Sequence, residues 1–113
     1  MRNQATMEAG HLNRRVTIER PVLTQSGDGT TTTTWQTVAE NIHAGIHPMS
    51  VKDFIAANAR QSKISVRILI RYRTGLTAEM RIRADDGTLY QPEGWLPDDQ
   101  TGREWLTAPC RTL

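Results

Sequence analysis

Residues 62–83 read SKISVRILIRYRTGLTAEMRIR, and their alternation decides the fold class. Ile64, Val66, Ile68, Ile70 and Tyr72 fall on one side of an extended chain, with Lys63, Ser65, Arg67, Leu69, Arg71 and Arg73 on the other. Period two over about eleven positions is the pattern of a strand with one buried face. After Thr74, Gly75 and Leu76 the alternation resumes, with Met80 and Ile82 opposing Glu79, Arg81 and Arg83. Two such runs around a short glycine-containing link predict a β-hairpin. On that reading Arg67, Arg71, Arg73, Arg81 and Arg83 share one solvated surface.

Upstream of this stretch, Arg14 to Arg20 alternates, with Val16 and Ile18 on one side and Arg15, Thr17 and Glu19 on the other; Pro21 is expected to stop this first strand. Residues 1–13 are polar and mixed and read as a flexible amino-terminal arm preceding a single domain over 14–113. The segment TQSGDGTTTTT, residues 24–34, holds almost nothing apolar and predicts a long exposed loop. In Trp35 to Ile46, Val38, Ile42, Ala44 and Ile46 share a parity that Trp35 does not, so either a bulge intervenes or Trp35 caps the end of a barrel. Pro48 closes the strand. Ser50 as N-cap, Asp53 three residues on, and Val51, Phe54, Ile55 and Ala59 at helical spacing predict a short helix over 50–60.

Downstream, Asp85-Asp86-Gly87 gives an Asp-Gly turn into a strand from Thr88 to Gln91. Pro92 to Gly102 reads as a loop, and Arg103 to Arg111 as a final strand carrying Trp105, Thr107 and Cys110. The expected fold is mainly β, a small antiparallel β-barrel or sandwich with one short α-helix and long loops.

Composition narrows the function classes. The chain has 113 residues, enough for one domain with a small core. Cys110 is the only cysteine, which excludes an intrachain disulfide and metal sites built on paired cysteines. Fourteen basic and twelve acidic residues give a formal net charge of +2, too balanced to imply nucleic-acid binding from charge alone. No apolar run approaches the roughly 20 residues that span a bilayer. The opening MRNQATMEAGHLNRR lacks the apolar segment of a signal peptide. The expectation is a soluble protein with no membrane partner, made in a reducing compartment.

Chemistry-bearing residues are sparse. His43 and His47 are four apart, which on a strand separates them by about 13 Å, too far to share a metal; His11 is remote in sequence. Cys110 follows Pro109 near the end of the chain and reads as a small buried hydrophobe. Ser26, Ser50, Ser62 and Ser65 sit in no nucleophile elbow. Asp85/Asp86 and Asp98/Asp99 occupy turns, where aspartate bonds locally. Gly27 and Gly29 lack the lysine and helix of a phosphate loop. No catalytic, cofactor or metal site is expected, and the protein is read as not an enzyme. The arginine stripe could contact phosphates, but few aromatic residues accompany it for base stacking. A solvated face, or one paired with acids of a neighbouring subunit, is the preferred reading; a small nucleic-acid-binding β-barrel is the alternative.

The order of these segments resembles the head-closure proteins of tailed bacteriophages, also called head-tail joining or stopper proteins. The resemblance is carried by Ala9, Gly10, Leu12 and the run Arg14 to Arg20, by Trp35, Val38, Ala39, Ala44, Ile46 and Pro48, and by Asp53, Phe54, Ala56 and Ala57. Its most specific part is Ile70-Arg71-Tyr72-Arg73, then Gly75-Leu76, then Met80-Arg81-Ile82. It departs at Tyr90 to Trp95, where Pro92 stands in place of a paired strand residue, and at Trp105 to Cys110. The resemblance implies a virion protein, made in the host bacterial cytoplasm, that forms a homo-oligomeric ring below the portal or adaptor ring. There it would retain the packaged DNA and dock the tail. The polar loop residues Thr24, Gln25, Ser26, Gly27, Asp28, Gly29, Thr30, Thr31 and Thr32, with the arm, are the expected ring or inter-ring contacts. Arg67, Arg71, Arg73, Arg81 and Arg83 are the expected subunit interface, in proximity to DNA.

Overall fold

A computed structural model describes residues 12–48 and 64–113. Among the described residues seven strands form one antiparallel sheet: β1 (Arg14–Gln25), β2 (Thr31–Pro48), β3 (Val66–Arg71), β4 (Arg81–Ala84), β5 (Leu89–Pro92), β6 (Leu96–Pro97) and β7 (Trp105–Thr112). Their order is β3-β2-β1-β4-β5-β7-β6, and β3 also pairs with β7. The mainly β, antiparallel expectation holds. Two separate sheets are not seen, because every strand pairing among the described residues belongs to one sheet. The β3–β7 pairing ties distant ends of the order together, yet the long β1–β2 ribbon and the two-residue β6 keep open edges, so the sheet is not a clear barrel. The helix expected over 50–60 lies outside the described residues, among which there is no helix. Of the arm expected over 1–13, only Leu12 and Asn13 are described.

Period two explains the core. Val16 and Ile18 of β1, Ala44 of β2, Ile68 and Ile70 of β3, Ile82 and Ala84 of β4, Tyr90 of β5, and Leu106, Ala108 and Cys110 of β7 alternate onto one face and pack with Met80. Ile18, Ile68, Ile70 and Ile82 have no exposed surface. Cys110 is equally enclosed, and burial pushes its thiol up to about 12. Leu69 was assigned to the arginine side; it sits there, but Leu12 and Trp105 cover it in a second small cluster. Tyr72 was assigned to the apolar side and is instead 38% exposed, just past the end of β3.

The decisive stretch is corrected in one respect. Its two alternating runs are both strands, β3 and β4, but they do not form a hairpin: β3 pairs with β2 and β7, and β4 with β1 and β5. Two strands, β2 and β1, stand between them. The link from Tyr72 to Met80 can reach because each extended residue advances up to about 3.5 Å. It is held by the side chains of distant residues. Gln91 Nε2 donates to the carbonyls of Ala78 and Met80, at 2.6 and 3.0 Å. Trp95 Nε1 donates to that of Thr77, at 2.9 Å. Local alternation identifies strands but does not choose their neighbours.

A second correction concerns the segment 24–34. Thr24 and Gln25 end β1, Thr31 to Thr34 begin β2, and the register pairs Gln25 with Thr31, Thr24 with Thr32, Leu23 with Thr33 and Val22 with Thr34. Threonine is β-branched and suits a strand whether or not the strand is buried. Pro21 does not stop β1 because β4 accompanies β1 only from Val16 to Glu19. Beyond Glu19 one edge of β1 is open, and there a missing N–H leaves no ladder partner unsatisfied.

Bulges set the faces of β2. Between the pairs Val16–Ile42 and Ile18–Ala39, β1 supplies Thr17 alone and β2 supplies both Glu40 and Asn41. Asn41 has φ 57°, a left-handed conformation that asparagine tolerates. Val38 is the second extra residue, between the pairs Ile18–Ala39 and Glu19–Thr37. It is displaced to 38% exposure while Ala39 opposes Ile18. The two shifts add up to two residues, which restores the alternation, and Trp35 faces away from the core opposite Pro21.

The Asp-Gly turn joins β4 to β5 as expected, with Gly87 at φ 89° and Gly87 N–H donating to the Ala84 carbonyl at 3.0 Å. Pro92 ends β5 opposite Cys110, and the next residue, Glu93, donates its N–H to Pro109 at 2.7 Å, so the proline costs the sheet little. The segment read as a loop from Pro92 to Gly102 contains β6. Truncating Ile70 to Ala is expected to cost about 2–5 kcal/mol through the cavity it leaves. Truncating Val38 is expected to cost no more than about 0.5 kcal/mol. Urea unfolding of the two variants checks the contrast.

Candidate functional site

Past Glu19 the β1–β2 pair leaves the sheet as a two-stranded ribbon. From the Pro21–Trp35 pair to the tip, five residues at about 3.4 Å each carry it roughly 17 Å outward. Its side chains are exposed, Leu23 at 69% and Val22 at 36%. An isolated two-stranded ribbon is marginally stable in water, so its tip and root need fastening.

The tip is closed by polar groups. Ser26 N–H donates to the Thr30 carbonyl at 2.8 Å, and Gly29 N–H to the Ser26 carbonyl at 3.0 Å. The Asp28 carboxylate accepts from Ser26 Oγ and, at 3.0 Å, from the Thr30 N–H. Gly29 supplies φ 88°, which a residue with a side chain adopts only under strain. The bonds from Ser26 and Thr30 favour the ionised form and bring the Asp28 carboxyl down to about 2.

The root is fastened on the outer face. Glu19 is 6% exposed although it points away from the core. Arg81, its cross-strand partner on β4, donates from Nε to Glu19 Oε1 at 2.8 Å, and Arg83 Nη2 reaches Oε2 at 3.2 Å. The Arg81 guanidinium also lies 4.0 Å from the centroid of the Trp35 ring. One arginine thus joins the last residue of β1 that the sheet accompanies to the first aromatic of the departing ribbon. On the opposite face of the ribbon, Arg20 Nε donates to Gln36 Oε1 at 2.8 Å. A shallow opening lined by Arg20, Gln36, Val38, Gly75 and Met80 lies beside it. At the other end of the β1–β4 pairing, Arg14 Nη2 pairs with Asp85 at 2.7 Å, which ties the β4–β5 turn to β1 and holds the Asp85 carboxyl below its usual range.

The five arginines read as one surface are dispersed. Arg81 and Arg83 belong to the Glu19 cluster on β4. Arg67 and Arg71 lie on β3, two strands away, with Arg71 4.5 Å from the Trp105 ring centroid. Arg73 lies in the β3–β4 link. The expected contact residues Thr24 to Thr32 do come together, along the outer half of the ribbon and its tip. Glu19, Trp35 and Leu12 were not singled out for these contacts. A glutamate alternating with valine and isoleucine looks solvent-facing until the partner strand is known. Among the described residues no three His, Cys, Asp or Glu side chains are placed to hold a metal ion.

Fold and site define a small antiparallel β domain that carries a projecting ribbon braced at its root. The phage head completion protein family matches residues 7–113, and the chain belongs to it. A protein of Shigella flexneri 2a, known from its solution structure, is 30% identical, covering 91% of this chain and 94% of that one, with a TM-score of 0.75. A chain in the virion of a native gene transfer agent particle shares the fold at 19% identity and a TM-score of 0.61, covering 90% of this chain and 96% of that one. None of the curated proteins matches.

Two outcomes follow from the charges. Glu19→Gln leaves Arg81 and Arg83 without their counter-ion and is expected to cost roughly 1–3 kcal/mol, read by thermal unfolding. A carboxyl whose folded value is depressed stabilises above its unfolded value and loses that contribution as pH falls through the folded one. The amide signals of Gly29 and Thr30 should therefore titrate near about 2 and not at 3.8, the ordinary value for an aspartate; an NMR titration reads this directly.

Proposed function

We propose that this chain, a structural protein of the virion by its family, closes the DNA-filled phage head as a homo-oligomeric ring below the portal or adaptor ring and offers the docking surface for the tail. The observation that carries the proposal is the braced β1–β2 ribbon. It exposes threonine side chains and the apolar Val22 and Leu23 well beyond the core. A preformed, hydrogen-bonded contact element loses less conformational freedom on binding than a loop does. The work of the protein is assembly and not catalysis. Membership of the head completion family and the occurrence of the fold in a gene transfer agent virion support the reading.

The alternative of a small nucleic-acid-binding barrel draws its support from the arginines. Arg81 and Arg83 are committed to Glu19, and Arg71 stacks on Trp105, so the stripe that would track a phosphate backbone is broken up. Both readings meet the same test. Removing Thr24, Gln25, Thr31 and Thr32 together takes two residues from each strand, preserves which face each side chain occupies, and draws the tip back by about 7 Å. The shortened protein is expected to unfold at nearly the parent temperature yet to leave filled heads without tails. Normal yields of infectious particles would remove the ribbon from the contact. Salt-dependent DNA binding by the parent that is lost on Arg71→Glu would favour the alternative.

A further inference from the structure

The root of the ribbon combines features that core stability does not require. Glu19 is buried on the outer face, the Arg81 guanidinium has an edge bonded to that carboxylate and lies over Trp35, and Trp35 is half-buried although it lies outside the core cluster. They converge where the three-strand pairing of β2, β1 and β4 gives way to two strands, because β4 begins at Arg81 and its pairing with β1 ends at Glu19. A two-stranded ribbon leaving a sheet is free to twist and bend there. The bulge in β2 at Val38 falls at the same level and adds to the local bend and twist of that strand. The opposite side of the root is an opening and not a packed surface. With space on the other side, the contact of Trp35 with Arg81 is what holds the ribbon back from swinging toward that opening.

We propose that Glu19, Arg81 and Trp35 are positioning residues that form a latch: Arg81, held on β4 by Glu19, fixes Trp35 and so sets the direction in which the β1–β2 hairpin leaves the sheet. Releasing Trp35 lets the hairpin swing toward the opening lined by Gln36, Val38, Gly75 and Met80. The latch acts at a distance from the tip and rests, for its use in assembly, on the reading that the hairpin makes the contacts. Its chemistry is specific. A lysine at position 81 retains the charge and the pairing with Glu19 but loses the planar group that covers the indole. A phenylalanine at position 35 keeps a ring for the guanidinium to cover.

The test uses the full chain with spin labels on two introduced cysteines, Gly27→Cys at the tip and Asp99→Cys in the loop after β6. Buried Cys110 is expected not to take the label. Pulsed electron-electron resonance reads the distance distribution between tip and body. The parent should give one narrow distribution. Trp35→Ala and Arg81→Lys should broaden or displace it, by about twofold in width, and Trp35→Phe should restore most of the parent distribution. Circular dichroism establishes that each variant is folded, and Arg81→Lys decides the matter should Trp35→Ala fail to fold. A parent-like distribution in Arg81→Lys, or a parent distribution already broad, overturns the latch. Infectivity separates the two proposals. A broadened hairpin with undiminished head completion confirms the latch and overturns the contact role of the hairpin, whereas broadening with loss of tailed particles supports both.

Discussion

The pairing of β3 with β7 is the constraint on which the rest depends. It runs from Val66 opposite Cys110 to Arg71 opposite Trp105 and joins strands that stand at distant places in the order β3-β2-β1-β4-β5-β7. With it, the inward side chains of those six strands enclose one another, and Ile68, Ile70, Ala108 and Cys110 lose all contact with solvent. Without it, a chain this small would expose one apolar face of a flat sheet and two long edges. The same pairing brings Leu69 beside Trp105 on the outer side, where Leu12 covers both. The residues just before β1 thereby become part of the folded domain.

Around that core, polar and aromatic groups acquire definite jobs. Glu19 is an example: an outward carboxylate normally remains hydrated, but two arginines from β4 pair with this one, and an indole from β2 lies against the first of them. The cluster does not enlarge the core. It converts the end of a three-strand region into a fixed platform for a two-strand ribbon. Asp98 plays a comparable part elsewhere, accepting from the N–H groups of Thr101, Glu104 and Trp105. These bonds hold its carboxyl well below the usual aspartate range and fix the entry into β7.

Much of this was legible in the order of residues, and the failures share a cause. Strand existence followed from alternation, since Val16 and Ile18, Ile68 and Ile70, and Ile82 each mark a buried face by period two. The Asp-Gly turn after β4 was legible because only certain residues tolerate its backbone. Strand neighbours were not. Nothing in the run from Ser62 to Arg83 announces that β1 and β2 intervene, and placing five arginines on one surface inherited that error. The threonine run misled for another reason: polarity signals exposure, which is correct here, but exposure does not imply irregular backbone. Pro21 reinforced the mistake, because its missing donor is costly only in a strand paired on both sides. Family membership was readable from segment order along the chain, which depends on spacing and not on knowing the pairings.

The separation of β3 from β4 also bears on the order of events in time. β1 and β2 are joined by the tight Ser26–Thr30 turn and can zip together locally. The partners of β1 in β4 lie more than sixty residues further along, as the Glu19–Arg81 bond shows, and the second pairing of β3 must wait for β7. Loop-closure entropy places such pairings late and makes topologies of this kind slow to form. During synthesis both strands of the hairpin are therefore made before β4, which braces it. The strands of the proposed contact element are made first, and the groups that set its direction become available only later.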